Sequence, residues 1–425
     1  MTAIPSPSQD SRSKPIASWI IFATAKSLCP VKRIVLAVVS LLTVALAGFS
    51  QDWSPTGAPD THWTWLASSA DGSNLVGVAE LDGIYTSRNS GVSWTKTSAP
   101  AEPWYGVTSS ADGSHLVAQA TYFEFPPFGN PTGGVIYASM DFGTTWTSTS
   151  APNLPWVGVA ASADGRKVVA VAYTHGIYTS ADSGTTWTKT GAPTADAWST
   201  VASSADGMKL FAGIDGGGIY ISADAGVTWK KTSAPNQPWG AIATSADGGK
   251  LIAAPYNGLV FASTNSGGNW YPTLGPIQSW GAVASSADGK RLVAAANDGL
   301  IYSSTNAGLT WNPAGAQESW YPVASSADGG SLFVGISGVG NNSPGSIYAS
   351  HSTVAPTLSI IPSGAGWIVS WTVPSTGFAL QQNSDLTASD WIEVPGTPVL
   401  NFTNLQFQTI LPGTPATAFY RLSQR

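Results

Sequence analysis

Residues 280–316 read WGAVASSADGKRLVAAANDGLIYSSTNAGLTWNPAGA, and this stretch decides the fold. Its opening tryptophan recurs as Trp63, Trp104, Trp156, Trp198, Trp239, Trp280 and Trp320, in steps of 41, 52, 42, 41, 41 and 40 residues. Each unit reads as four short strands. A VASS segment leads into an Ala-Asp-Gly turn, then an LVAAA segment into an Asn-Asp-Gly type turn. An IYSS segment follows, then an Asn-Ala-Gly type turn and a strand opening on Thr-Trp. Asp, Asn and Gly at these turns supply the positive φ that tight hairpins require. Four strands in every repeat of about 40 residues is the signature of a β-propeller.

The count closes at seven. The last repeat stops at its third strand, around Tyr348, and has no Thr-Trp strand of its own. Ahead of the first repeat, however, Asp52-Trp53-Ser54-Pro55-Thr56-Gly57-Ala58-Pro59 matches the fourth-strand pattern. The reading is a seven-bladed β-propeller over residues 52–355, closed by its N-terminal segment as the outer strand of blade seven. Closure leaves only short edges open to strand pairing from outside. Only the second repeat is long, through the insert TYFEFPPFGNPTGG at 121–134, which is expected to be a surface loop.

Composition agrees with this architecture. The chain has 425 residues with 46 Gly, 29 Pro and 19 Trp, and only 10% of it is charged, against about 25% in an average globular protein. Charged helices and coiled coils are excluded. A net charge of −6 without a basic stripe argues against a nucleic-acid partner.

The N-terminus reads separately. Lys32-Arg33 precede an apolar run from Ile34 to Gly48, with Ala45-Leu46-Ala47 as a small-x-small cleavage pattern. Residues 1–47 are expected to be a signal peptide with an extended leading region, an uncleaved anchor being the alternative. Cleavage would remove the single Cys, five of the 18 basic residues and one of the 24 acidic ones. The product then carries 13 against 23, a net charge of −10, and no membrane span. An exported chain without cysteine suits a bacterial periplasm, surface or medium. It is expected to be a monomer.

The turn before each Thr-Trp strand carries a motif. It reads Ser139-x-Asp141-x-Gly143-x-Thr145-Trp146 in repeat two and recurs around Asp182 and Asp224, with Asn89, Asn265 and Asn306 in the other repeats. This resembles the Asp-box, or BNR repeat, of sialidase-type propellers, a box shared with photosystem II assembly factors, sortilin-type receptors and xyloglucan-cleaving propellers. The resemblance covers about 300 residues and implies the fold rather than an activity. The Asp or Asn side chain is expected to accept its own turn's N–H groups. One carboxylate per turn falls short of the six to eight oxygens that calcium takes.

In propellers that the motif resembles, ligands bind at the channel mouth on the face of the second-to-third-strand and blade-to-blade loops. A sialidase needs an arginine cluster there. The repeats hold only Arg88, Arg166 and Arg291, all read onto the opposite face, so the catalytic sialidase residues are missing. A glycosidase using two carboxylates could draw on Glu80, Asp82, Glu102, Glu124, Asp196, Asp215, Asp298 and Glu318. Asp82, Asp215 and Asp298, however, precede hairpin glycines as ordinary turn residues. Four scattered histidines (His62, His115, His175, His351) give no metal spacing, and neither a nucleophile elbow nor a phosphate loop occurs. No cofactor is expected.

What remains is a binding surface. Tyr122, Phe123, Glu124, Phe125 and Phe128 of the insert break the repeat symmetry, and exposed aromatic clusters mark binding sites. First-strand rings such as Trp104 and Trp156 read either as a stacking platform for sugars or as wedges between blades. With Asp82, Asp215 and Asp298 these form the candidate ligand site, its partner a glycan or an envelope protein. After Pro356 the repeat ends. Residues 357–425 read as six strands (358–361, 366–373, 378–382, 391–394, 402–411, 419–422) of a small immunoglobulin- or fibronectin-like β-sandwich.

Overall fold

The computed structural model describes residues 21–23, 52–124, 130–194, 196–337, 345–352, 356–364, 366–373, 378–384, 390–412 and 418–424. No helix occurs among them, and their strands assemble into nine four-stranded antiparallel sheets.

Seven sheets come from the repeats. Sheet 1 runs Trp63–Ser68, Leu75–Ala79, Gly83–Ser87 and Thr95–Lys96, in sequence order from inside to outside. Sheets 2 to 6 follow the same order, opening on Trp104–Ser109, Trp156–Ala161, Trp198–Ser203, Trp239–Thr244 and Trp280–Ser285. The seventh, opening on Trp320–Ser325, takes its outermost strand, Ser54–Pro55, from the N-terminus. Ser54 pairs with Ala349 and Pro55 with Tyr348, while Trp53 packs into the core around Trp320.

The sheets are tied at the axis. After each inner strand an alanine N–H donates to the alanine carbonyl of the next sheet, from Ala70 to Ala111, Ala163, Ala205, Ala246, Ala287 and Ala327, and back to Ala70, at 2.6–2.8 Å. All seven donors and acceptors are satisfied within one cycle, which buried backbone requires.

Between sheets the first-strand tryptophans act as wedges. Trp63, Trp104, Trp156, Trp198 and Trp239 are 0% exposed, Trp280 and Trp320 no more than 2%. Each meets the third-strand aromatic of its own sheet edge to face at 5.2–5.6 Å, as Trp198 does Tyr220. Each also packs on the preceding sheet, Trp104 for example against Val76, Val78 and Ile84. Five of the seven indoles find a backbone carbonyl, such as Pro193 O for Trp198.

The turns between third and fourth strands explain why Asp and Asn alternate there. In the Asp turns Oδ1 accepts the N–H four residues on, at 2.8–2.9 Å, and Oδ2 accepts the hydroxyl of Thr145, Thr186 or Thr228 at 2.6–2.7 Å. With Asn the side-chain bond reverses: Nδ2 of Asn89 and of Asn306 donates to the hydroxyl of Ser93 and of Thr310 at 2.9 Å. A hydroxyl serves either way, so the turn survives the exchange.

The insert at 121–134 differs from expectation. Its residues 121–123 and 131–134 prolong the second and third strands of sheet 2 to Leu116–Phe123 and Pro131–Ser139, with Tyr122 opposite Gly133, so these parts are paired strand where loop was expected.

The last two sheets come from the C-terminal region and share one core around Val369, Trp371, Leu380, Leu411 and Leu422. Here too the structure corrects a boundary. The expected strand 402–411 starts only at Gln406 and runs to Pro412, and a separate short strand, Val399–Asn401, precedes it. Between them the chain turns, because the Asn401 side chain accepts the Thr403 N–H and its carbonyl accepts the Leu405 N–H. This turn holds Leu405 at φ 53° and sets it among the axial alanines, against Ala163, Ala205 and Ala246, over a cavity of about 170 Å³. Ile21–Ala23, within the expected leader, pairs with the strand Ala418–Gln424 of the other sheet; processing after Ala47 would remove that pairing.

Two outcomes follow for stability. Trp198→Ala removes a fully buried wedge and should lower stability by about 3–5 kcal/mol, read as a lower urea midpoint. Bonds from the Thr228 hydroxyl and N–H and from the Ser222 hydroxyl hold the Asp224 carboxyl down at about 2. Its contribution is therefore present above the ordinary carboxylate value and lost as pH falls towards 2. Asp224→Asn should keep the fold but lower the melting temperature modestly at pH 7, and this deficit should shrink as pH falls from 4 to 2.

Candidate ligand-binding site

Inner strands end at the alanine ring, so their first residues lie at the other end of the channel. Second strands run back antiparallel and bring the second-to-third-strand turns to that same end. The residue after each first-strand tryptophan stands at this mouth: Thr64, Tyr105, Val157, Ser199, Gly240, Gly281 and Tyr321. The position follows no repeat rule, and its two tyrosines anchor an aromatic cluster. Tyr321 meets Trp65 edge to face at 6.5 Å, and Tyr105 meets Phe123 at 5.7 Å. Tyr256 lies over Gly240, where a Cβ would come within 2.8 Å of its ring.

These phenols share an electrostatic environment. The Tyr105 phenol and burial hold Tyr321 protonated well above the ordinary phenol range, and burial raises Tyr105. Tyr256 is raised by burial and then by Tyr105, Asp215 and Tyr173, which places Asp215 and Tyr173 beside it. Glu80 is a further charge felt by Tyr105. Gln119, one residue beyond Tyr105 in cross-strand register, is fully buried against Gly106. Both its amide atoms lack a partner in the protein, leaving hydrogen-bonding capacity unused. Leu405 closes the far end, so the channel is a blind pit. It is lined by neutral phenols and indole, with carboxylates at its rim.

The expected site residues are dispersed. Phe123 joins the cluster, and Asp215 lies exposed at its edge. Tyr122 instead donates its hydroxyl to Glu102 at 2.9 Å, and Glu124 is exposed with its N–H on Asn130 O. Phe125 and Phe128 lie outside the described residues. Trp104 and Trp156, which read either as a stacking platform or as wedges between blades, are 0% exposed and present no face to a ligand; their place is between the sheets. Asp82 is engaged by Lys96 at 2.7 Å and by the Tyr85 hydroxyl at 2.9 Å, and the Lys96 ammonium holds its carboxyl below the usual range. Asp298 is a turn residue at φ 53° whose carbonyl accepts from Gln317. Tyr105, Tyr256, Tyr321 and Trp65 escaped the sequence reading, although for Tyr105 and Tyr321 the irregular position after each tryptophan carried the signal. Among the described residues no group of three or more His, Cys, Asp or Glu could hold a metal, and no helix is long and apolar enough to cross a membrane.

Burial and the Glu102 carboxylate raise Tyr122 to about 12. A raised phenol stabilises the fold fully below pH 10, and the contribution is lost as pH climbs towards 12. Tyr122 should ionise near 12 in a ring-carbon NMR titration. Glu102→Gln should bring it part of the way back, because burial remains the larger cause.

No family model and no curated protein matches the sequence. Solved structures do. The GH74 xyloglucanase from Xanthomonas campestris aligns at 15% identity with a TM-score of 0.51, over 76% of this chain and 59% of its own. YCF48 from Cyanidioschyzon merolae aligns at 15% identity and 0.51, over 71% of this chain and 98% of its own. YCF48 bound to a D1 peptide gives 15% and 0.52, over 72% and 99%. The chain thus spans little more than half of the xyloglucanase and nearly all of YCF48, and at this identity the likeness is one of architecture: the chain has the β-propeller fold.

Proposed function

We propose that this chain is an exported, non-catalytic binding protein. In this reading residues 52–355 form a seven-bladed propeller with Asp-box turns, latched by its N-terminal strand, and residues 357–425 an immunoglobulin- or fibronectin-like sandwich. The ligand is a carbohydrate, taken at the channel mouth beside the insert 121–134. The carrying observation is the aromatic lining of Trp65, Tyr105, Phe123 and Tyr321 around a pit that Leu405 closes. Rings with polar tips suit ligands with alternating apolar faces and hydroxyls.

Two further readings keep specific support. A protein partner is favoured by the YCF48 structure, which holds a peptide. A glycoside hydrolase is favoured by the xyloglucanase, but catalysis on this face needs a carboxyl whose pKa is raised enough to donate a proton. Asp82 is shifted the other way, and Glu102 is engaged by Tyr122.

Affinity electrophoresis in a panel of neutral and acidic polysaccharides, with released reducing sugar assayed in parallel, tests the proposal. Retention without release, weakened at least tenfold in Trp65→Ala and Tyr321→Ala, is the expected result. Released sugar would replace it with the hydrolase, and retention by peptides alone with the protein partner.

A further inference from the structure

The turns between third and fourth strands repeat closely except at two places. The residue after the motif serine is Arg88, Met140, Ala181, Ala223, Thr264 and Thr305 in order, and the residue before its glycine is Ser90, Phe142, Ser183, Ala225, Ser266 and Ala307. The single arginine of the first series and the single aromatic of the second belong to adjacent sheets, and they meet. The Arg88 guanidinium carbon stands 4.8 Å from the Phe142 ring centroid. Phe142 is held at φ 61°, a left-handed conformation that its counterparts meet with Ser or Ala and that a bulky side chain occupies only at a cost.

Together they edge an open groove of about 420 Å³ between sheets 1 and 2, on the outer rim and away from the mouth. Thr86, Thr95, Thr97 and Thr144 add to its lining. Its other cation, Lys96, is engaged by Asp82, whereas Arg88 is exposed and has no ion-pair or hydrogen-bond partner among the described residues. One face of the guanidinium rests on the ring and its edge remains free, the geometry in which arginine takes a carboxylate with two parallel bonds.

We propose that this groove binds an acidic sugar: Arg88 pairs with the carboxylate of a uronate, Phe142 orients the guanidinium, and the threonines face the sugar hydroxyls. An acidic peptide suits the groove less well. The bordering outer strand, Thr95–Lys96, offers two residues of free edge, too short for an added strand to pair along.

Titration calorimetry of the full chain with trigalacturonic acid, and with galactotriose as the neutral control, tests the assignment. Arg88→Ala and Phe142→Ser install residues that other turns of this chain already carry, so folding should be kept, and Phe142→Ser should raise the melting temperature by relieving the left-handed phenylalanine. Trigalacturonic acid should bind in preference to galactotriose and more weakly as salt rises. Each variant should weaken it at least tenfold, while Thr305→Ala, at the exposed counterpart of Arg88 in sheet 6, leaves it unchanged. Absence of binding, equal affinity for the neutral sugar, indifference to both groove variants, or loss in Thr305→Ala would overturn the assignment. So would a tetraglutamate peptide binding through Arg88 in place of the sugar.

Discussion

Seven alanine N–H groups, each donating to the alanine carbonyl of the next sheet, fix the radius at which the inner strands stand from the axis. A methyl side chain lets the backbones come within hydrogen-bonding distance, and the cyclic order leaves no donor or acceptor over, as an open row would at its two ends. The tryptophan wedges maintain the angle between sheets that this radius demands. Their burial is an apolar term without direction, while the backbone cycle supplies the registry. The N-terminal strand on the seventh sheet joins the two ends of the repeat array, so the last sheet in sequence is completed by the first residues of the array.

A ring with this much internal symmetry confines individuality to places where the repeat fails, and there the structure carries its chemistry. At the mouth, the residue after each wedge tryptophan varies from glycine to tyrosine, and Gly240 makes room for the Tyr256 ring. On the outer rim the same reasoning singles out Arg88 and Phe142. Residues that recur in register, including the aspartates of the turns, are occupied in holding their own hairpins.

Much of the fold is legible in the sequence because its determinants are local. Asp, Asn and Gly spell out the turns, and Trp53 discloses the displaced outer strand by matching six other tryptophans in pattern. The candidate site is less legible, since its members meet through closure of the ring: Tyr105 and Tyr321 belong to sheets 2 and 7, on either side of sheet 1. The wedge role of Trp104 and Trp156 turns on burial, which a tryptophan shares in sequence with an exposed platform. The Leu405 turn was masked by an alternating apolar pattern at 402–411, although Asn401 and Asn404 are turn formers. Only the assembled ring supplies the place into which Leu405 fits.

That leucine has a consequence for what the molecule can handle. A propeller open at both ends is a tube, through which a chain could pass; with Leu405 seated among the alanines it becomes a cup. A polymer cannot be threaded through a cup. In the proposed binding role it could offer only a free end, a branch tip or the crest of a bend, so selection among long molecules would fall to termini and protrusions. In that role the domain bearing Leu405 would shape specificity from the opposite end of the axis.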